Sequence, residues 1–213
     1  MKKTLAIVLS IVMLLALTLT GCSSEKDELI GTWMGSIDIT DYMNEAFAES
    51  DPLAAEYLQI SNFTIRYYLI FNEDDTCALE VDETDLEDSF NQMLVEIEEG
   101  LRRYLEDEIA AMGVDMTVDE VMELSGTSLD QLMAESFTPD MYKEMVEEME
   151  SQGNFKVKDG KLMMSESLST QPDPNVYELY SLAGNTLTID KGNSSMDGDM
   201  EDLIYPMVLQ KVS

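Results

Sequence analysis

The sequence predicts a mainly β protein with a helical insertion, an α+β chain built on an eight-stranded antiparallel barrel. Three observations carry this expectation. Eight short segments alternate apolar and polar residues at period two. Most of them are joined as hairpins, and closure into an up-and-down barrel removes exposed edges. Between about Thr84 and Ser151 the apolar spacing changes to three or four residues, the period of a helix, before strands resume at Asn154. The same strand list also permits an open antiparallel sheet with helices packed on one face.

The first element is a leader. Met1-Lys2-Lys3 is a short basic region, and residues 4 to 20 are apolar. Leu19-Thr20-Gly21-Cys22 then places a small residue directly before a cysteine, which resembles the processing signature of bacterial lipoproteins. That resemblance implies a signal peptide over 1–21, cleavage before Cys22 and acylation of its thiol. The mature chain would sit on the outer face of the bacterial cell membrane, held by acyl chains that contribute about 0.8 kcal/mol per buried methylene. An uncleaved transmembrane anchor is the alternative, but the run is short of the ~20 residues a span needs. Residues 22–28 read as a polar tether, and six extended residues reach only about 20 Å, so the domain is expected close to the membrane.

A single domain over 29–213 follows. Leu29 to Ile39 suits a strand, with Trp33, Ile37 and Ile39 on one face. Thr40-Asp41 can cap a short helix to about Ala48, and Asp51-Pro52 opens another with proline in the first turn. Phe63, Ile65, Tyr67, Leu69 and Phe71 alternate with polar and smaller neighbours. After the turn Asn72 to Asp75 the chain runs back from Thr76 to Val81.

The insertion over 84–151 is the most periodic stretch. Leu86, Phe90, Met93, Leu94, Ile97, Leu101, Tyr104, Leu105, Ile109 and Met112 form one apolar stripe on an acidic helix that Gly113 can stop. Thr117-x-x-Glu120 and Ser128-x-x-Gln131 fit capping boxes. Thr138-Pro139 starts a last helix, with Gly153 as its expected stop. Beyond it, Asp159-Gly160 marks a type I′ hairpin between Phe155–Lys158 and Lys161–Met164. Val176–Ser181 pairs with Thr186–Lys191 around Ala183-Gly184-Asn185, and Tyr205–Val212 is the last strand.

Gly31-Thr32-Trp33 on the first strand resembles the Gly-x-Trp signature of lipocalin-like proteins. In that family the tryptophan closes the barrel base near a basic residue of the last strand, so the resemblance gives Gly31, Trp33 and Lys211 structural roles. Lipobox and Gly-Thr-Trp together resemble secreted lipoproteins of Gram-positive bacteria that carry lipocalin-like domains of unassigned function. The likeness covers about 29–82 and 154–213. It departs from the family in having Lys211 where arginine is usual and in the long helical insert.

Composition narrows the chemistry. Loss of the leader removes Lys2 and Lys3, so twelve basic residues become ten against 44 acidic ones and the formal charge moves from −32 to −34. Such a surface repels nucleic acid and anionic head groups, and fits a protein kept soluble in the cell envelope. Only Cys77 remains once Cys22 is lipidated, which leaves no intrachain disulfide, and its alternating surroundings fit a small strand residue. The chain has no histidine, which excludes Ser-His-Asp and Cys-His catalysis and His-bearing zinc sites. With no recognisable catalytic constellation, a non-enzymatic protein without cofactor or metal is expected. Asp197-x-Asp199-x-Glu201 offers oxygen ligands to calcium but lacks EF-hand spacing, and reads better as a solvated acidic loop.

Met141, Met145 and Met149 form an i, i+4 ladder that suits Cu(I) in principle, yet it coincides with the apolar face of its helix and reads as core. Eight of the mature chain's 15 methionines lie between Met93 and Met149. A Met-rich underside adapts to varied ligands. One expected function is therefore a binding module whose insert lids a barrel cavity for an apolar or amphipathic molecule. Met141, Met145, Met149, Tyr67 and Tyr104 are its candidate contacts. The other is a structural or interaction lipoprotein whose helical face docks an envelope protein. A cavity of roughly 300 Å³ or more favours the first, and a filled barrel with an exposed apolar patch the second.

Overall fold

A computed structural model describes residues 24–50, 52, 55–193 and 203–212. The leader, the lipobox with Cys22, and Asp197, Asp199 and Glu201 lie outside the described residues. Among the described residues there are eight strands: β1 Gly31–Asp38, β2 Thr64–Phe71, β3 Thr76–Val81, β4 Ser151–Lys158, β5 Lys161–Met164, β6 Tyr177–Ala183, β7 Thr186–Asn193 and β8 Met207–Lys211. Helix α1 (Glu25–Leu29) precedes β1, and α2 (Thr40–Ser50) joins β1 to β2. Four more helices separate β3 from β4: α3 (Glu83–Ala111), α4 (Val118–Leu124), α5 (Leu129–Ser136) and α6 (Pro139–Met149).

The strands form one closed antiparallel barrel in chain order, with β8 returning to β1. Closure decides against the open sheet. Alternation fixes the register, because a slip of one residue would turn every buried side chain outward. Along β2, Ile65, Tyr67, Leu69 and Phe71 are buried while the residues between them are half-exposed. Trp33 pairs with Leu69, Leu69 with Leu79 and Leu79 with Ser151, so these four face the same side. At the β4–β5 turn, Asp159 (φ 55°) and Gly160 (φ 72°) both adopt the positive φ that a type I′ turn requires.

The base of the barrel is shut. Leu29, the last residue of α1, is fully buried, and the Trp33 indole N–H donates to its carbonyl at 2.7 Å. Lys211 lies beside Trp33 in the register and holds its Nζ 5.0 Å from the centre of the Trp33 ring. Gly31, with φ 129°, makes the bend between α1 and β1. The segment expected as an extended tether is, from Glu25 onward, this docked helix. Ser24 and Asp27 form a reciprocal capping box, and Lys26 pairs with Asp75 at 2.6 Å. Local capping and burial of Leu29 outweigh the polarity of the segment.

The opposite end is partly covered by helices. Ile60, Phe63, Ile65, Val81, Leu86, Met93, Ile97 and Val146 form a second core between barrel and insert, and Ile37 packs against both cores. A helix of 29 residues is about 43 Å long, so α3 outreaches the barrel. Its far end makes a small cluster of its own, Ile109 with Val118 and Met122. Thr117 and Glu120 complete their capping box. Ser128 accepts from the Gln131 N–H, but the Gln131 side chain turns to Glu135 instead.

Two expectations about local structure are corrected. Gly153 does not stop α6, which ends at Met149; it sits inside β4, where a Cβ would lie 1.9 Å from the Ser165 carbonyl oxygen. Close packing of two backbones, not a helix end, is what demands glycine there. Nor does a helix follow from Asp51-Pro52 through the described residues, since Pro52 and Ala55–Tyr57 are turns. Side chains of α2 and α3 hold the backbone that follows. Asn44 exchanges two hydrogen bonds with Ile60, and Glu96 accepts from the Ser61 N–H at 2.7 Å.

Candidate ligand cavity at the barrel mouth

Antiparallel order brings the end of β1, the start of β2, the end of β3 and the start of β4 to the same rim, with the end of β5 and the starts of β6 and β8 continuing it. Helices pack over the β1–β3 part of that rim. Beside them a cavity of about 280 Å³, partly open to solvent, enters the barrel. It lies against the inward residues of β3 to β8, with Leu79, Leu162, Met164, Ile189 and Met207 giving it an apolar wall. Leu162 and Ile189 are fully buried and form its floor.

Polar groups at the wall are few. Cys77 is buried, and desolvation pushes its thiol up to about 11 against a backbone hydrogen bond at Gly153 that acts the other way. A thiol held that high is a packing group at neutral pH, not a nucleophile. Ser165 accepts from the Asn154 N–H and donates to the Ser167 carbonyl, so its hydroxyl is committed to the loop. Glu178 is the exception: only 7% exposed, it is the one buried charged side chain among the described residues. It shares its face with fully buried Leu162, its partner across the β5–β6 ladder. A register shift between Tyr177 and Leu179 brings the backbone of Gly192 close, and the Gly192 N–H donates to Glu178 Oε2 at 3.0 Å. An apolar chamber with a single buried carboxylate can hold a small molecule and orient one polar end of it.

The structure puts this wall away from the residues chosen on sequence. Among the described lining residues there is no Met141, Met145, Met149, Tyr67 or Tyr104. Met145 and Met149 pack into the second core and Met141 is 46% exposed, because α6 turns its apolar face toward α3 and β3. Tyr67 is buried in the barrel against Gly35, and burial raises its phenol pKa. Tyr104 of α3 packs edge-on to Tyr57, with ring centres 5.5 Å apart. Trp33 and Lys211 do come together, at the base.

Leu79, Leu162, Met164, Ile189, Met207 and Glu178 were passed over. A signal for Glu178 existed: two residues before Tyr180, in the phase of Tyr180 and Leu182, it is an acid on the inward side of its strand. Nothing in the sequence marks which part of the rim the helices leave open.

No helix among the described residues is long and apolar enough to cross a membrane. Comparison with family models, with curated proteins and with solved structures returned no match.

Proposed function

We propose that this chain is a non-enzymatic binding protein that takes up a small apolar or amphipathic molecule in the mouth of its barrel. The observation that carries the reading is the partly open cavity of about 280 Å³ with its Leu, Ile and Met wall. Ligand pockets begin near 300 Å³, so the occupant is small. The lipobox Leu19 to Cys22 supports a second part of the proposal, a lipid anchor at Cys22 on the outer face of a bacterial membrane. Capping of the base by Trp33 and α1 makes the rim the entrance. Native mass spectrometry of the chain released from nanodiscs tests the reading: a bound small molecule is expected on the wild-type chain and absent from a Leu79→Trp, Met164→Trp variant. No bound molecule on either overturns it.

One observation favours a second reading. Met112 is 67% and Leu124 78% exposed at the far end of the insert, where apolar side chains invite a protein partner in the envelope. A photo-crosslinker at position 124 that captures a single envelope protein in intact cells supports this reading; scattered capture refutes it.

A further inference from the structure

We propose that the cavity selects cationic amphiphiles, with an ammonium group donating to Glu178 and an alkyl body lying on Leu79, Leu162 and Met164. The inference rests on the small-molecule reading above and names its ligand class.

A buried carboxylate is costly unless it is paired and hydrogen-bonded. Glu178 is 7% exposed, yet the Gly192 N–H is its one hydrogen-bond donor, bound to Oε2, and no ion pair reaches it among the described residues. The cavity wall adds no cation. Its described charged residues are Glu166 and Glu178, both acidic, with no lysine or arginine. On the neighbouring strand, Lys161 is next to inward-facing Leu162 and so points out of the barrel, where its Nζ stands 3.8 Å from the centre of the Tyr177 ring. An ammonium group brought by the ligand supplies the cation that the wall lacks. Among the described residues neither the Cys77 thiol nor the Ser165 hydroxyl bonds to Glu178, and the Ser165 hydroxyl donates to the Ser167 carbonyl instead. Anionic amphiphiles such as fatty acids meet the opposite situation, a buried like charge inside a chain of net charge −32.

Isothermal titration of the full chain in zwitterionic nanodiscs, corrected with empty nanodiscs, separates the cases with three eight-carbon probes: octylamine, octanol and octanoate. At pH 7 octylamine is expected to bind roughly tenfold more tightly than octanol, the scale of a charge-assisted hydrogen bond, with octanoate weakest. In Glu178→Gln, which keeps an acceptor for Gly192, the preference for octylamine over octanol should vanish. The wild-type preference should also survive 0.5 M salt, which screens exposed charges much more than buried ones. Equal binding of octylamine and octanol, or a preference that persists in Glu178→Gln or disappears in salt, overturns the inference and leaves the cavity reading standing. Failure of all three probes to bind overturns both.

Discussion

Trp33→Phe tests how the barrel is closed at its base. The indole N–H donates to the Leu29 carbonyl at 2.7 Å, and Leu29 is fully buried. Phenylalanine has no donor, so a buried carbonyl is left without its partner, a loss of about 1–3 kcal/mol. The smaller ring leaves a void in a filled core, which adds about 1 kcal/mol. Part of the Lys211 cation–π contact, with Nζ 5.0 Å from the ring centre, also goes; such contacts are worth about 0.5–1 kcal/mol when exposed. Together the change should cost about 2–5 kcal/mol, measured by equilibrium urea unfolding with m unchanged. Lys211→Met keeps the aliphatic stem and should cost about 0.5–1 kcal/mol, with a positive coupling to Trp33→Phe in a double-mutant cycle. A Trp33→Phe cost below about 0.5 kcal/mol, or no coupling to Lys211, would refute the account of the base.

Other perturbations read other parts of the structure. Gly153→Ala should lower the thermal midpoint sharply, by more than an ordinary surface change, because a Cβ 1.9 Å from the Ser165 carbonyl forces β4 and the β5 end apart; an unchanged midpoint would contradict the close approach. Cys77 is held up to about 11 from an ordinary 9.0, so above pH 9 the unfolded chain loses this proton while the folded one keeps it. Stability contributed by Cys77 is therefore full below pH 9 and falls as pH rises toward 11, by at most about 2–3 kcal/mol. The stability gap between wild type and Cys77→Ala should narrow over that window, and a constant gap would sink the argument. Met145→Ser and Met149→Ser should each destabilise the fold by about 1–3 kcal/mol through the second core, whereas Met141→Ser should fall within about 0.5 kcal/mol. Equal effects at all three positions would contradict the placement of α6.

Period and turn chemistry made the strands and the helical insert readable, because a half-buried strand and an amphipathic helix write their burial into the sequence. The β2 alternation, the Asp159-Gly160 turn and the Thr117–Glu120 box are of this kind. The docked α1 carried a signal too, Ser24 three residues before Asp27, hidden by the general polarity of the segment. Gly153 was ambiguous on principle: a glycine after a helical period reads as a stop, and only the partner backbone at Ser165 shows that it is a packing site. The methionine ladder was legible as apolar but not as to what it faces. Its placement against the second core, and the opening of the rim beside it, depend on how far α3 and α6 reach over a closed barrel, a property of the assembled fold.

On the proposed function, the β3–β8 side of the mouth is the binding site and the Met-rich helices are its neighbours. A fluorescence titration with a neutral solvatochromic dye tests it most directly, run on the wild-type chain, on Leu79→Trp, Met164→Trp, and on Met141→Ser. One saturable site is expected in the wild type, abolished by the two indoles that fill the cavity and unchanged by Met141→Ser. Dye binding that is absent in the wild type, or that survives the filled cavity and is lost in Met141→Ser, would contradict it.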